Sequence, residues 1–259
     1  MNNDWSQQLA AAQEAAHAAA SVIMAHYQAN VAVTVKADRT PVTVADVEAE
    51  QAIKRVLLAA YPDYGFFGEE TGTQDADRDA VWLVDPIDGT RSFVREYPFF
   101  STQIALRVHG ELVVGVSSAP AFAEVAWASV GGGAFLNGQR IAVSDIATWA
   151  DAALSTGNLG SMPGWQRRWA ALGELIQAVA RNRGYGDFYH YHLLASGKID
   201  ALVESDLNIL DVAALTVIVR EAGGLITDID GRAIDLETTS VVAANARLHA
   251  DLLSRFTLR

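Results

Sequence analysis

Residues Val81-Trp82-Leu83-Val84 form an unbroken apolar run that leads straight into Asp85-Pro86-Ile87-Asp88-Gly89-Thr90. Four apolar residues in a row read as a strand buried on both faces, which commits the chain to a covered sheet. Where that strand is expected to stop, Asp85 and Asp88 lie three apart across a proline-fixed turn. Both carboxylates can then converge on one point, with the Ile87 carbonyl between them. Gly89 and Thr90 open what reads as a helical turn, whose free amides can hold a phosphate. Hard oxygen ligands without cysteine or clustered histidine suit Mg2+ rather than zinc. Taken alone, the same hexapeptide is equally an ordinary turn, because Asp, Pro and Gly favour turns for local reasons.

The flanking sequence supports a layered α/β class. Trp5, Leu9, Ala12, Ala16, Ala19, Ile23 and Tyr27 recur at helical intervals. A polar loop over 36–41 precedes a second helix, expected from Thr43 to about Tyr61, with Asp46 placed for a capping box. Strands crowd together at 101–108, 111–117 and 122–128, and Asn137-Gly138 marks a hairpin before a strand Ile141-Ala142-Val143. The second half predicts strands near 152–156 and 200–204 and helices over 166–180, 187–197 and 210–222. Gly223-Gly224 ends the last of these, and Leu225-Ile226-Thr227 and Val241-Val242-Ala243 read as buried strands. The hairpin-rich middle third favours stacked layers over a plain parallel sheet. No repeat or linker interrupts the chain, so a single domain is expected over 1–259, with halves of about 1–145 and 146–259.

Composition excludes several functions. The 259 residues include 31 acidic and 19 basic side chains, a net charge of −12, which opposes a nucleic-acid partner. It does not oppose a phosphorylated substrate, since bound cations reverse the local field of an acidic cleft. The absence of cysteine removes disulfide scaffolds, thiolate zinc sites and cysteine nucleophiles together. Residues 1–27 carry Asp4 and Glu14 and lack the basic start and apolar run of a signal peptide. No stretch is long and apolar enough to span a bilayer, so no membrane association and a cytoplasmic location are expected.

Further acids recur in a telling order. Glu69 and Glu70 follow Gly68, Asp211 opens a helix after Asn208-Ile209-Leu210, and Asp46 starts the second helix. Each has an ordinary reading: a solvated pair, dipole compensation of about 0.5 kcal/mol, and a cap. Together with Trp82 through Phe93, Leu210-Asp211-Val212-Ala213-Ala214 and Glu221-Ala222-Gly223-Gly224, they resemble the inositol monophosphatase family. The opening Lys36-x-Asp38-x-x-Pro41-Val42-Thr43-x-Ala45-Asp46 matches the same family, so the resemblance runs from about Lys36 to Asn245.

The resemblance implies an αβαβα sandwich that hydrolyses phosphomonoesters by metal-activated water, with two or three Mg2+ ions. By the same resemblance, one metal site falls on Glu69, Asp85 and the Ile87 carbonyl, and a second on Asp85, Asp88 and Asp211. Thr90 and Asp46 would activate water with Glu70 close by, and the amides of Gly89 and Thr90 would hold the phosphate. Most metal ligands then belong to the first half, and the substrate pocket with the last ligand to the second. Leu210 departs from the family's usual Trp, at a position of packing rather than ligation.

Arg183-Gly184-Tyr185-Gly186-Asp187-Phe188-Tyr189 resembles the R-x-x-G-D-x-Y segment of the histidinol-phosphate phosphatase branch. Histidinol phosphate carries an ammonium and an imidazole, which Asp187 or Glu204 can bind by charge-assisted hydrogen bonds. The alternative reading is that Asp187 caps a helix beginning at Phe188. Arg183, Lys36, Arg91 and Arg95 are each either phosphate contacts or surface cations, and His190 and His192 read as packed or solvated. Other esters stay open: inositol 1-phosphate, 3′-phosphoadenosine nucleotides and sugar bisphosphates. A regulatory binding protein on the same scaffold is the non-enzymatic alternative. The 122–143 region, with Trp127 and also Trp149, suggests the interface of a homodimer.

Overall fold

Alternation along each strand sorts the layers. The computed structural model describes residues 4–28, 33–35 and 41–257. Within it, the strand Ala80–Asp88 sends Val81 and Leu83 into one core and Trp82 and Val84 into another. Successive strand side chains point to opposite faces, so a run that is apolar throughout needs cover on both. On the Trp82 side lie the helices Ser6–His26 and Val44–Ala60, packed together through small residues such as Ala12, Ala15, Ala45 and Ala49. On the Leu83 side lie the helices Asp187–Ala195 and Ile209–Glu221.

The helix Ile209–Glu221 is buried almost all round, because a second sheet covers its far side. That sheet sorts its residues in the same way. Leu202, Val241 and Ala243 face the central helices, whereas Ala201, Val203, Val242 and Ala244 face the outer helices Gln166–Ala178 and His249–Phe256. The order of layers is therefore helices, sheet, helices, sheet, helices, as the family resemblance implies.

The larger sheet has eight strands in the order Gln139–Ile141, Gly133–Leu136, Glu124–Ser129, Glu111–Ala119, Ser101–Val108, Ala80–Asp88, Gly65–Gly68 and Gly72–Gln74. Only Gly65–Gly68 with Ala80–Asp88 is a parallel pair in that sheet. The smaller sheet runs Arg181–Arg183, Ala153–Gly157, Ala201–Ser205, Ser240–Asn245, Gly224–Thr227, with the first two pairings parallel. Asn137 and Gly138 both take positive φ, +49° and +80°, as a two-residue hairpin turn needs.

Two expectations are corrected here. The strand expected over Ile141-Ala142-Val143 ends at Ile141, and the Val143 amide bonds the Ala222 carbonyl at 3.0 Å instead. The strand expected to stop at Asp85 continues to Asp88. The C-terminal helix His249–Phe256 and the edge strand Arg181–Arg183 were not anticipated. Trp127 stacks on Phe135, and Trp149 donates to Asp251 beneath the Arg255 guanidinium, so both rings have partners within the chain. No described helix is long and apolar enough to cross a membrane.

Candidate active site

The parallel pair sets the first acids side by side. Two parallel strands leave a sheet at the same edge, so the residues after Gly68 emerge beside the end of Ala80–Asp88. The Glu69 amide accordingly donates to the Val84 carbonyl at 3.1 Å. Behind this turn lies Glu50, fully buried, whose two carboxylate oxygens accept from the amides of Glu70 at 2.8 Å and Thr71 at 2.7 Å.

A β-bulge then aligns Asp85 with Asp88. Asp85 pairs with Gln103 and Asp88 with Ser101, so three steps on one strand match two on its neighbour. Residues three apart on a regular strand face opposite ways; the extra residue returns Asp88 to the side of Asp85. Pro86 is tolerated because it sits where the ladder is already interrupted. The Ile87 amide bonds Asp85 Oδ1 at 2.9 Å, and Gly89 takes φ +91° with only 2.6 Å between an added Cβ and the Phe99 carbonyl oxygen. No residue with a side chain fits at Gly89 without displacing that backbone.

Two other acids enter on helix starts. Asp46 is the third helical residue of Val44–Ala60, in a capping box with Thr43. Its Oδ2 accepts from the Thr43 amide and hydroxyl, both at 2.7 Å, and its Oδ1 faces the Thr90 hydroxyl at 3.2 Å. The cap and the contact with Thr90 use different oxygens of one carboxylate, so capping leaves Asp46 able to pair with Thr90. Burial raises its pKa, against the pull of the Thr43 and Thr90 hydrogen bonds. Asp211 occupies the same position in Ile209–Glu221, boxed by Asn208, whose amide reaches Oδ2 at 2.8 Å. Its neighbour Leu210 is buried in the central core, where it fills a packing position.

Oxygens of Asp85, Asp88 and Asp211 come within 4.8 Å of one another. Burial, and then the charges of Glu69, Asp88 and Asp211, hold the Asp85 carboxyl well above its ordinary range. Asp88 is raised for the same reasons, with Asp187 the foremost neighbouring charge. Asp211 is pushed up to about 7 by burial and by Glu69 and Glu204. Crowded buried carboxylates repel one another, and a cation removes that penalty. The donors are all oxygen, which fits a hard divalent ion such as Mg2+.

The cluster lies in a cleft of about 630 Å3 that also includes Ile87, Gly89, Thr90, Arg91, Asn158, Asp187 and Asp206. Asp187 does not cap its helix. Gly186 is the N-cap, and Asp187, at φ +47°, is the first helical residue, with its carboxylate in the cleft. Its pKa is raised to about 6 by burial and by the charge of Glu204. Glu204 reaches the adjoining pocket shared by Asp88, Asp187, Tyr191 and Asp211. Its Oε2 accepts from the Tyr191 hydroxyl at 2.8 Å and meets His190 Nε2 at 3.1 Å, while the buried Oε1 has no partner.

Other expected residues fall elsewhere. Arg183 lies exposed on the edge strand and donates to the Asn182 carbonyl at 2.7 Å; it does not line the cleft. Glu69 lines the cleft, whereas Glu70 is not among its described lining. Arg91 borders the cleft and continues into a shallow groove with Arg95 and Tyr97. Lys36 lies outside the described residues. Sequence reasoning missed Glu50 and set His190 aside. Both carried a signal: Glu50 is four residues from Asp46, and Asp187, His190 and Tyr191 share one helix face by spacing.

An oxygen-only carboxylate cluster beside a glycine turn, set in an αβαβα sandwich, places the molecule among phosphomonoester hydrolases. Known proteins agree. The model of the inositol monophosphatase family matches residues 4–257. A histidinol-phosphatase of Mycobacterium tuberculosis is 40% identical over 227 residues, covering 85% of this chain and 86% of its own. An inositol-1-monophosphatase of Caulobacter vibrioides is 38% identical over 220 residues, covering 83% and 86%. The crystal structure of the extragenic suppressor protein suhB from Bartonella henselae superposes with a TM-score of 0.89 at 31% identity, covering 97% and 98%. The chain belongs to the inositol monophosphatase family.

Proposed function

We propose that the chain hydrolyses L-histidinol phosphate in histidine biosynthesis, with Mg2+ as its metal. The observation that carries this reading is the pair Asp187 and Glu204 beside the metal-type cluster, with Glu204 Oε1 buried and unpartnered. A buried carboxylate oxygen without a donor is costly, by about 1–3 kcal/mol or more for a charged group, until a ligand supplies one. An ammonium or imidazolium answers that need better than a neutral polyol. The histidinol-phosphatase among the relatives points the same way.

In this reading Glu69, Asp85 and the Ile87 carbonyl hold one ion, and Asp85, Asp88 and Asp211 another. Bound Mg2+ supplies Lewis-acid polarisation of the phosphoryl oxygens and makes water more acidic. The chain's own residues do the rest. The Thr90 hydroxyl donates to Asp46 Oδ1, which leaves its oxygen lone pairs to orient the attacking water. The amides of Gly89 and Thr90 hold the phosphoryl oxygens. Asp187 and Glu204 grip the cationic end of the substrate, which aligns its ester bond with that water.

The test is phosphate release from histidinol phosphate and myo-inositol 1-phosphate side by side, first with Mg2+ and then with EDTA. The expected result is a preference of more than about tenfold in kcat/KM for histidinol phosphate, some 1.4 kcal/mol, abolished in Asp187→Ala. A preference for the inositol ester would keep the metal site and refute the substrate. An absence of EDTA-sensitive turnover of either ester would turn attention to nucleotide and sugar phosphates, and then to a binding role.

A further inference from the structure

Glu204 is held from behind by a chain of hydrogen bonds that begins in the loop carrying Asp187. The Tyr185 amide donates to Ser155 Oγ at 3.3 Å. Ser155 Oγ lies 3.2 Å from His190 Nδ1, and His190 Nε2 lies 3.1 Å from Glu204 Oε2. A carboxylate oxygen only accepts, so the contact with Glu204 Oε2 needs the hydrogen on Nε2, and Nδ1 then accepts the Ser155 proton while Ser155 Oγ accepts from the amide. Ser155, His190 and Glu204 are all buried. Space for this contact depends on Gly157, where an added Cβ would sit 2.5 Å from Glu204 Oε1, 2.7 Å from Gly186 Cα and 3.0 Å from His190 Cε1.

The arrangement uses up one oxygen of Glu204 and leaves the other. Oε2 takes two donors, from His190 and Tyr191, so the carboxylate plane is fixed, and Oε1 is left buried without a donor in a residue that lines the pocket. Tyr185 stands two residues before Asp187, so the loop that places Asp187 also anchors the far end of the relay.

We propose that His190 is a positioning residue that, through Ser155, sets Glu204 Oε1 and Asp187 as a paired acceptor for the N–H groups of a cationic substrate. The inference rests on the substrate reading above and extends it to a residue that touches neither phosphate nor metal ligands. A merely structural histidine would affect every substrate alike; this one acts on esters that bring a donor to Oε1.

The experiment compares His190→Phe, His190→Gln and Ser155→Ala with the unaltered enzyme, on histidinol phosphate and on p-nitrophenyl phosphate, which has no N–H. Thermal midpoints and Mg2+ titrations accompany the kinetics. His190→Phe is expected to raise KM for histidinol phosphate about tenfold, the order of one hydrogen bond to a charged group. Its kcat, its KM for p-nitrophenyl phosphate and its Mg2+ midpoint should stay within about threefold, a shift too small to represent loss of such a bond. His190→Gln, which keeps an N–H donor, should recover most of the loss, and Ser155→Ala should fall between. If His190→Phe fails to fold, the other two variants still decide. Unchanged KM for histidinol phosphate, or equal losses on both esters, overturns the positioning role while leaving the substrate reading intact. An unaltered enzyme that prefers myo-inositol 1-phosphate overturns the substrate reading and, with it, the cation acceptor.

Discussion

Two acids of the site, Asp46 and Asp211, are the third residues of capping boxes; both oxygens of Asp211 accept from Asn208, whereas Asp46 divides its oxygens between the cap and Thr90. Thr43 saturates Asp46 Oδ2, so Oδ1 is the oxygen left for Thr90. Asp46→Asn should therefore separate the two duties. An amide oxygen can still accept from Thr43, but the amide nitrogen cannot accept from Thr90. The expected outcome is a kcat lowered by about 10²- to 10⁴-fold with KM little changed. Calorimetry should show a thermal midpoint only a few degrees lower, since a cap is worth about 1 kcal/mol. A loss of activity that merely tracked unfolding would refute the division. Asp46 was legible because T-x-x-D is a local pattern. Gly157 was not, because what forbids its Cβ is the meeting of Glu204, Gly186 and His190, all remote in sequence.

At the level of elements, the site depends on how one strand and one turn are held by their neighbours. The acids on either side of Pro86 were plain in the sequence, but their convergence was assigned to a turn. The actual device is a bulge, set by pairing with Gln103 and Ser101 on the adjacent strand, and register across strands is not written in either strand alone. Arg183 was open in the sequence for a related reason: its place on the sheet edge is set by pairing with Ala153–Gly157, which the motif itself does not encode. The turn after Gly65–Gly68 is held by Glu50, which accepts two amides from the fully buried side of the helix. Glu50→Gln keeps the shape but sets an N–H against one of those donors, a loss of about 1–3 kcal/mol. The Glu69 side of the cluster should loosen, raising the Mg2+ concentration for half-maximal activity by about tenfold, in proportion to that energy. An unaltered Mg2+ midpoint in a folded Glu50→Gln protein would show that the turn holds itself.

On the scale of the molecule, the five layers explain why so many acids meet. The helix that begins at Val44 comes from one outer layer and those that begin at Asp187 and Ile209 from the central one, and all three bring an acidic first turn to the site. Helix N-termini favour negative charge, which offsets part of the crowding, yet Asp85, Asp88, Asp187 and Asp211 remain raised. A carboxyl whose folded pKa exceeds its unfolded value contributes stability below the unfolded value and loses it as pH rises through the folded one. Without metal, the fold should therefore lose stability from this cluster between about pH 4 and pH 7, the window set by Asp187 near 6 and Asp211 near 7. The buried His192 and His249 carry the opposite dependence, since burial lowers their pKa and stability is lost as pH falls through the folded value. Melting with Mg2+ and with EDTA at each pH removes the histidine contribution, because it is common to both. The difference in thermal midpoint should be small near pH 5 and grow to the order of 5 °C by pH 8, as the carboxylates ionise and bind the ion. In Asp88→Asn the growth should shrink, because one repelling charge and one ligand leave together. A midpoint difference independent of pH would mean that Mg2+ stabilises the protein somewhere other than this cluster.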